Sequence, residues 1–302
     1  MSAPATAPAI FAAFIGFGEA AQAFVEGMGN RAPAELIAYD LKSQSDNADA
    51  RTAKAADFAR FNVTEAASTA EATAHAGVLL SLVTADQALK AAAAAAASLR
   101  PGALYFDGNS VSPQTKRQAA EVIEAAGGRY VDTAIMSPVR PALTAAPLLL
   151  SGPHADAGAA VLGRLGFSNV RALHGPVGSS SAVKMIRSVM VKGIEALTAE
   201  CLSAAVAAGV DREVLASLDA SDKPQSWVAR GDYNLDRMMV HGGRRAEEMR
   251  EVVATLEELG VTPAMSRATV AWQAAVGAGG LKSPPEGYGP KVDAIRNAKG
   301  LP

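Results

Sequence analysis

Residues 16–21 read Gly-Phe-Gly-Glu-Ala-Ala. This spacing suits one task, the close approach of a pyrophosphate to the backbone. In G-x-G-x-x-G/A the first glycine, Gly16, makes the tight turn. The second, Gly18, carries no Cβ to hold the phosphates away, and a small third residue, Ala21, lets helix and strand pack tightly. Around them Phe17, Glu19 and Ala20 bring backbone N–H groups of the turn and of the helix N-terminus, whose positive dipole end favours phosphate. Asp40 follows 22 residues after Gly18, where an acid would accept hydrogen bonds from the adenosine ribose. Its charge would repel a 2′-phosphate and so favours NAD. Lys42 and Ser43, just beyond, would suit NADP and leave that cofactor open.

A second chemical candidate is Lys184, in Gly175-Pro-Val-Gly178-Ser-Ser-Ser-Ala-Val-Lys184-Met-Ile-Arg187-Ser188. Its neighbours Ala182, Val183, Met185 and Ile186 would set the amine partly in an apolar wall. Burial lowers a lysine pKa and makes the group usable as an acid or base near neutrality. Ser188 lies one turn on, on the same face. Taken alone, a lysine at a helix start is ordinarily solvated.

The elements that must carry these residues follow from apolar periodicity. Short apolar strands are expected at 10–15, 35–39, 77–83, 103–106 and 129–131, with two more at 147–151 and 169–173. Helices are expected at 19–28, 45–58, 86–99 and 113–126. Strands alternating with helices imply a parallel sheet covered on both faces. From Gly178 the texture changes. Residues 179–208 contain no proline and a single glycine, Gly193, and Gly209 suits a C-cap. A helix of that length spans about 45 Å, too long for an element of the first domain. Helices are further expected at 212–218, 236–259 and 264–276. The fold expected is thus an α/β Rossmann domain over 1–177, followed by an all-α domain over 178–302 entered by the long helix.

Composition narrows the function classes. Apolar residues make up 49% and charged residues 19% of the 302, which excludes disorder as the main state. The net charge of −2 argues against a nucleic-acid surface. No run reaches the 18 or so apolar residues of a membrane span. The first ten residues lack the basic start of a secretory signal, so a cytoplasmic protein is expected. A single cysteine, Cys201, cannot build a disulfide framework or a multi-cysteine zinc site within one chain. It reads as an inert buried thiol, and no metal is expected. Alanine accounts for 67 residues, seven of them consecutive at 91–97. Alanine favours helix and demands close approach of backbones.

The turn, the G-x-x-G-x-x-x-x-x-K segment on a long helix and the helical second half together resemble the β-hydroxyacid dehydrogenase family, which includes 3-hydroxyisobutyrate and 6-phosphogluconate dehydrogenases. The resemblance covers nearly the whole chain and implies an NAD(P)-dependent oxidoreductase. It would interconvert a hydroxyl and a carbonyl on a small β-hydroxy acid, in the crevice between the halves. Lys184 then matches the general acid/base. Ser188 stands where the family usually has a substrate-holding asparagine, and it is a shorter group with fewer donors. Asn109 and Ser110, in Asp107-Gly-Asn-Ser-Val-Ser-Pro113, match residues that contact substrate and nicotinamide. Read unaided, that segment is a turn with a helix cap at Ser112. Val83 and Thr84 match a cofactor-contacting loop less specifically.

One segment departs from the family. Where D-x-P-V-S-G-G is usual, this chain has Asp132-Thr-Ala-Ile-Met136-Ser137-Pro138-Val-Arg140. Pro138 has no N–H to offer a carboxylate. Met136 would add an apolar, adaptable wall beside Ser137. Arg140 would supply a bidentate carboxylate partner or stand solvated, and this stays open. The substrate expected is therefore not one of the main branches. 6-Phosphogluconate itself is disfavoured by the short second domain. Arg244 and Glu248 read as an i,i+4 pair on a solvated helix, the alternative being that His241 or Arg245 faces the crevice or a partner subunit. The family implies a homo-oligomer, a dimer or tetramer. Two rivals remain. Imine reductases share the architecture but commonly carry Asp or Tyr at the lysine position. A non-catalytic dinucleotide-binding protein would have no need of that lysine.

Overall fold

The computed structural model describes residues 11–221, 224–279 and 283–297. The chain divides into two compact units, residues 1–189 and 190–302.

The first unit alternates strand and helix. Its elements in chain order are β1 (Ala12–Ile15), α1 (Glu19–Met28), β2 (Leu36–Tyr39), α2 (Ala48–Phe61), β3 (Thr64–Glu65), α3 (Thr69–Thr73) and β4 (Val78–Ser81). There follow α4 (Ala88–Ala96), β5 (Leu104–Asp107), α5 (Pro113–Ala125), β6 (Arg129–Ile135), β7 (Leu148–Ser151), α6 (Ala155–Arg164), β8 (Val170–Ala172) and the start of α7 (Ser179–Ala208). The strands form one sheet in the order β3-β2-β1-β4-β5-β6-β7-β8. This is the doubly wound Rossmann arrangement with two added strands. All neighbours are parallel except β6 and β7, which pair antiparallel, Asp132 opposite Ser151.

Both faces are covered, so β1, β4 and β5 are apolar runs buried along their whole length. Alternate residues serve two different cores. Phe14 joins Phe17, Phe24, Leu80, Phe106 and Leu150 on one face. Ala13 joins Ala92, Ala95 and Ala119 on the other, where Tyr105 and Tyr130 supply the bulk. The alanine excess is explained here. Ala88, Ala92 and Ala95 form the buried stripe of α4, and such small residues let the helix lie close to the sheet.

Several expectations are corrected. β6 continues four residues beyond Val131, because antiparallel pairing with β7 extends to Ile135. β3 and α3 were not foreseen; each is five residues or fewer and carries little periodic signal. The helix expected over 86–99 begins as a 3-10 turn at Ala85–Gln87 and becomes α-helical only at Ala88. The expected strand residue Ile10 lies outside the described residues.

The second unit holds the remainder of α7, α8 (Asp211–Ser221), α9 (Trp227–Glu258), α10 (Ala264–Gly277) and α11 (Tyr288–Arg296). α7 keeps the bounds its sequence implies and ends at Gly209 with φ +71°. α9 starts nine residues before the expected position, capped by Ser226. α11 contains Gly289 and Pro290 and gave no helical signal. α9 and α10 cross in close contact: a Cβ on Gly242 would lie 2.4 Å from the carbonyl oxygen of Gln273, and one on Gly277 2.4 Å from the nitrogen of Gly243. The Glu200 carboxylate caps α10, accepting from the backbone N of Met265 (2.7 Å) and Ser266 (2.9 Å) and from the Ser266 hydroxyl (2.6 Å). Burial works to raise the Glu200 pKa, but these hydrogen bonds outweigh it and hold the carboxyl below the usual glutamate value. Lys291 ties α11 to α9 through Asp232 (2.6 Å) and Asp236 (2.8 Å). Arg244 and Glu248 form the expected i,i+4 pair.

Cys201 is exposed, against the expected burial. The cause is its helix. From Ile186 to Ala199 most residues of α7 are exposed on every side, so an apolar neighbourhood in sequence creates no buried one in space. Among the described residues no helix is long and apolar enough to cross a membrane.

Candidate functional site

The phosphate turn is built as its glycines require. Gly16 follows β1 with φ +86°, and a Cβ there would lie 2.4 Å from the carbonyl oxygen of Leu82. Its N donates to the carbonyl of Tyr39 at 2.8 Å, fastening the turn to the end of β2. Gly18 opens α1 with no side-chain cap. A Cβ on Gly18 would meet none of the described atoms within 4 Å. That open space lies directly before the free N–H groups of α1, where a phosphate belongs. Ala21 is fully buried. Glu19 is exposed and Ala20 partly buried. Phe17 turns inward and stacks on Phe58, ring centroids 4.9 Å apart, so its side chain packs in the core rather than against a cofactor.

Asp40 stands just past β2. Its carboxylate accepts from the backbone N of Phe17 (2.8 Å) and of Lys42 (2.9 Å). Lys54 of α2 reaches back to the same place. Its Nζ donates to the Phe17 carbonyl (2.7 Å), pairs with Asp57 (2.9 Å) and lies 4.0 Å from Asp40. A cavity of about 590 Å³ opens here, lined by Gly16, Gly18, Asp40, Lys54, Val83 and Thr84 among others. Its size is that of a small-molecule site. Residues present therefore fit the adenosine and phosphate portions of a dinucleotide. Thr84, at the rim, hydrogen-bonds Asp86 and is the main cause that holds this carboxyl below its usual range.

The ends of β4 and β5 form the next part. Asn109 is buried. Its Oδ1 accepts from the Val83 backbone N (2.7 Å), its Nδ2 donates to the Ser81 hydroxyl (2.9 Å), and its own N donates to Asp107 (3.0 Å). The amide thus braces two strand ends. Ser110, next in the chain, is exposed and accepts a hydrogen bond from Lys184 Nζ at 2.7 Å. Two of the residues singled out by sequence are therefore brought together, 74 positions apart.

The other expected contacts are placed differently. The Ser188 hydroxyl donates to the Lys184 carbonyl within the helix (2.9 Å). The Ser137 hydroxyl donates to the Pro138 carbonyl (3.1 Å), and Met136 N to that of Pro147 (2.9 Å). Arg140 pairs with Glu26 of α1 at 2.8 Å. The apolar wall expected beside Lys184 is not formed by its neighbours, since Val183 and Ile186 are exposed.

Behind these residues lies a charged cluster that sequence reading missed. Lys116 is fully buried, its Nζ 2.9 Å from Asp107 Oδ1 and 3.5 Å from Asp132 Oδ1. Tyr130 donates its hydroxyl to Asp107 (2.7 Å). Burial, then the Asp107 charge, pushes the tyrosine pKa far up, so it remains a donor. Asp132 also accepts from the Gly178 backbone N (3.0 Å), the Ser181 backbone N and hydroxyl (both 3.2 Å) and the Ser151 hydroxyl (3.1 Å). A carboxylate at a helix N-terminus satisfies orphan N–H groups and meets the positive dipole end. A signal for Lys116 was present. With Ala119, Ala120 and Ile123 it forms the buried stripe of α5, at helical spacing. Among the described residues no group of three or more His, Cys, Asp or Glu is arranged to hold a metal.

Residues 12–164, just over half of the chain, match the family model of the NAD binding domain of 6-phosphogluconate dehydrogenase. The chain belongs to this family. It is a divergent branch of these NAD(P)-dependent oxidoreductases, and residues 205–276 match a domain of unknown function, DUF1932. A conserved hypothetical protein from Sinorhizobium meliloti 1021 is 39% identical, with 96% of this chain and 97% of that chain covered and a TM-score of 0.59. An imine reductase from Myxococcus stipitatus in complex with NADP+ is 18% identical over 95% of this chain and 100% of that one, with a TM-score of 0.71; this is a likeness of fold. An uncharacterised 28.5 kDa protein of Methanothermus fervidus is 26% identical over 166 residues. That match covers 55% of this chain and 63% of the relative, less than two thirds of its length.

Proposed function

We propose that this protein interconverts a hydroxyl and a carbonyl on a small β-hydroxy acid-like substrate, with Lys184 as general acid/base. The observation that carries the reading is the Lys184–Ser110 hydrogen bond of 2.7 Å, set at the end of β5 next to the Asn109 brace. A nicotinamide dinucleotide held by Gly16, Gly18 and Asp40 would take up or supply the hydride. In oxidation Lys184, in its deprotonated form, would accept the hydroxyl proton as the C–H bond gives up its hydride. In reduction the ammonium returns that proton to the carbonyl oxygen. Ser110 holds the amine on the strand-end side and offers a second hydrogen bond to the reacting oxygen. Asn109 holds Val83 in place and thus shapes the floor.

The substrate carboxylate would fall to Arg140, with Met136 as an apolar wall and with Ser137 and Ser188 once their hydroxyls turn from the carbonyls of Pro138 and Lys184. Arg140 is exposed and pairs with Glu26, a weak surface pair that a carboxylate ligand can displace. Asp40 favours NAD over NADP by its charge, with Lys42 at the rim moderating the preference. A lysine at position 184 supports alcohol chemistry over imine reduction.

The working form we infer is a homodimer. Ile186 and Val189 are each 71% exposed, and Met190, Ile194 and Leu197 are exposed beyond them. Exposed apolar side chains of this kind are stabilised when covered, and a second copy supplies a matching apolar stretch. The test is a panel of β-hydroxy acids, their carbonyl forms and cyclic imines, with NAD(H) and NADP(H). The reading predicts hydride transfer with a hydroxy acid, faster with NAD. Turnover of imines alone, or of nothing, overturns it.

A further inference from the structure

Lys116 carries its charge in the interior of the first unit, beside Asp107 and Asp132. Its side chain is fully buried, and an isolated ammonium is strongly disfavoured there. An apolar residue of similar length on the stripe of α5 would avoid that cost. What the lysine adds is a link between two carboxylates that lead in opposite directions.

From Asp107 the path runs to Ser110. Asp107 accepts from Asn109 N (3.0 Å) and from Lys116 Nζ (2.9 Å), and Ser110 follows Asn109 in the chain. From Asp132 the path runs to Lys184. Asp132 holds the N–H groups of Gly178 and Ser181, and its carbonyl oxygen accepts from the Ser180 hydroxyl at 2.9 Å. Lys184 lies three residues after Ser181, on the same helical face. Both partners of the Ser110–Lys184 hydrogen bond are therefore anchored in one buried cluster with Lys116 at its centre.

We propose that Lys116 is a positioning residue: clamped between Asp107 and Asp132, it sets Lys184 of α7 against Ser110 of the β5 end. The proposal rests on Lys184 being the acid/base, but its geometry is testable without that.

The experiment uses full-length Lys116→Met protein. Its lysines are reductively methylated with ¹³C, and the Lys184 signal is identified by its loss in Lys184→Arg. The signal is recorded without cofactor. NADH affinity, KM and kcat are measured on unmodified protein. The proposal predicts a displaced Lys184 signal, unchanged NADH affinity and KM, and a kcat lowered by about 10- to 100-fold, the cost of a misplaced reacting group. An unmoved Lys184 signal, or a moved signal with unchanged kcat, overturns it, whatever happens to the melting temperature. Should Lys116→Met fail to fold, Ser181→Ala removes one link between Asp132 and α7. A smaller displacement in the same direction is then expected, and an unmoved signal again overturns the proposal. If no hydroxy acid is turned over by the wild type, the catalytic reading falls, while the Lys184 signal still judges the positioning.

Discussion

The two halves of α7 meet opposite conditions. Its first turns bury polar groups: the Ser180 hydroxyl donates to the Asp132 carbonyl and accepts from Ser151, and the Ser181 hydroxyl donates to the Asp132 carboxylate. Its middle exposes apolar groups, Val189 to Leu197, that no other described helix of its unit covers. The difference teaches that one continuous helix serves two purposes. The anchored end fixes the direction of Lys184 by hydrogen bonds internal to the first unit. The middle leaves Val189, Met190, Val191, Ile194 and Leu197 exposed, and the homodimer proposed above would cover them. Composition separates them: the first turns carry Ser179, Ser180 and Ser181, whereas residues 189–197 contain no serine.

The largest effect should come from breaking the anchored end. Lys116→Met leaves two buried carboxylates without their cation, and disruption of a buried pair costs about 3–5 kcal/mol. Urea unfolding followed by circular dichroism would measure it. A loss below about 1 kcal/mol would show that water already reaches the cluster. Next, Ile194→Lys with Leu197→Lys should break the uncovered end. Each lost aliphatic burial is worth about 1.5–3 kcal/mol, so sedimentation velocity should show monomer where wild type shows dimer. A wild type already monomeric at high concentration would remove that half of the comparison.

Smaller effects calibrate the second unit. Gly242→Ala forces a methyl group into backbone 2.4 Å away; overpacking of this kind costs about 1–3 kcal/mol and should lower the melting temperature. The Glu200 cap should respond to acid. Its pKa is lowered in the folded state, so its contribution is fully present above the ordinary glutamate value and is lost as pH falls through the lowered one. Glu200→Gln should flatten that part of the stability–pH curve. Arg244→Ala, at an exposed helical pair, should change stability by less than about 0.5 kcal/mol.

What was legible in the sequence was local. Gly16, Gly18, Ala21 and Asp40 lie within one βαβ step, and each has a backbone reason to be where it is. The bounds of α7 were legible because proline is absent from it and Gly209 ends it. What escaped was set by distant partners. Lys116 escaped because its two carboxylates come from β5 and β6, far from it in the sequence. β6 was cut short at Asp132, since an acid suggests a strand end, whereas here the acid is buried and caps a helix 46 positions later. Arg140 was left between two roles, and only the fold brings Glu26 to it. Cys201 is exposed because an apolar neighbourhood in sequence is not one in space.

The claim at the centre is that Lys184 moves the proton. Lys184→Ala, assayed with the best hydroxy acid of the panel and with NADH binding followed by fluorescence, tests it most directly. The account predicts intact NADH binding and turnover reduced by about 10² to 10⁴-fold; turnover near that of the wild type would contradict it.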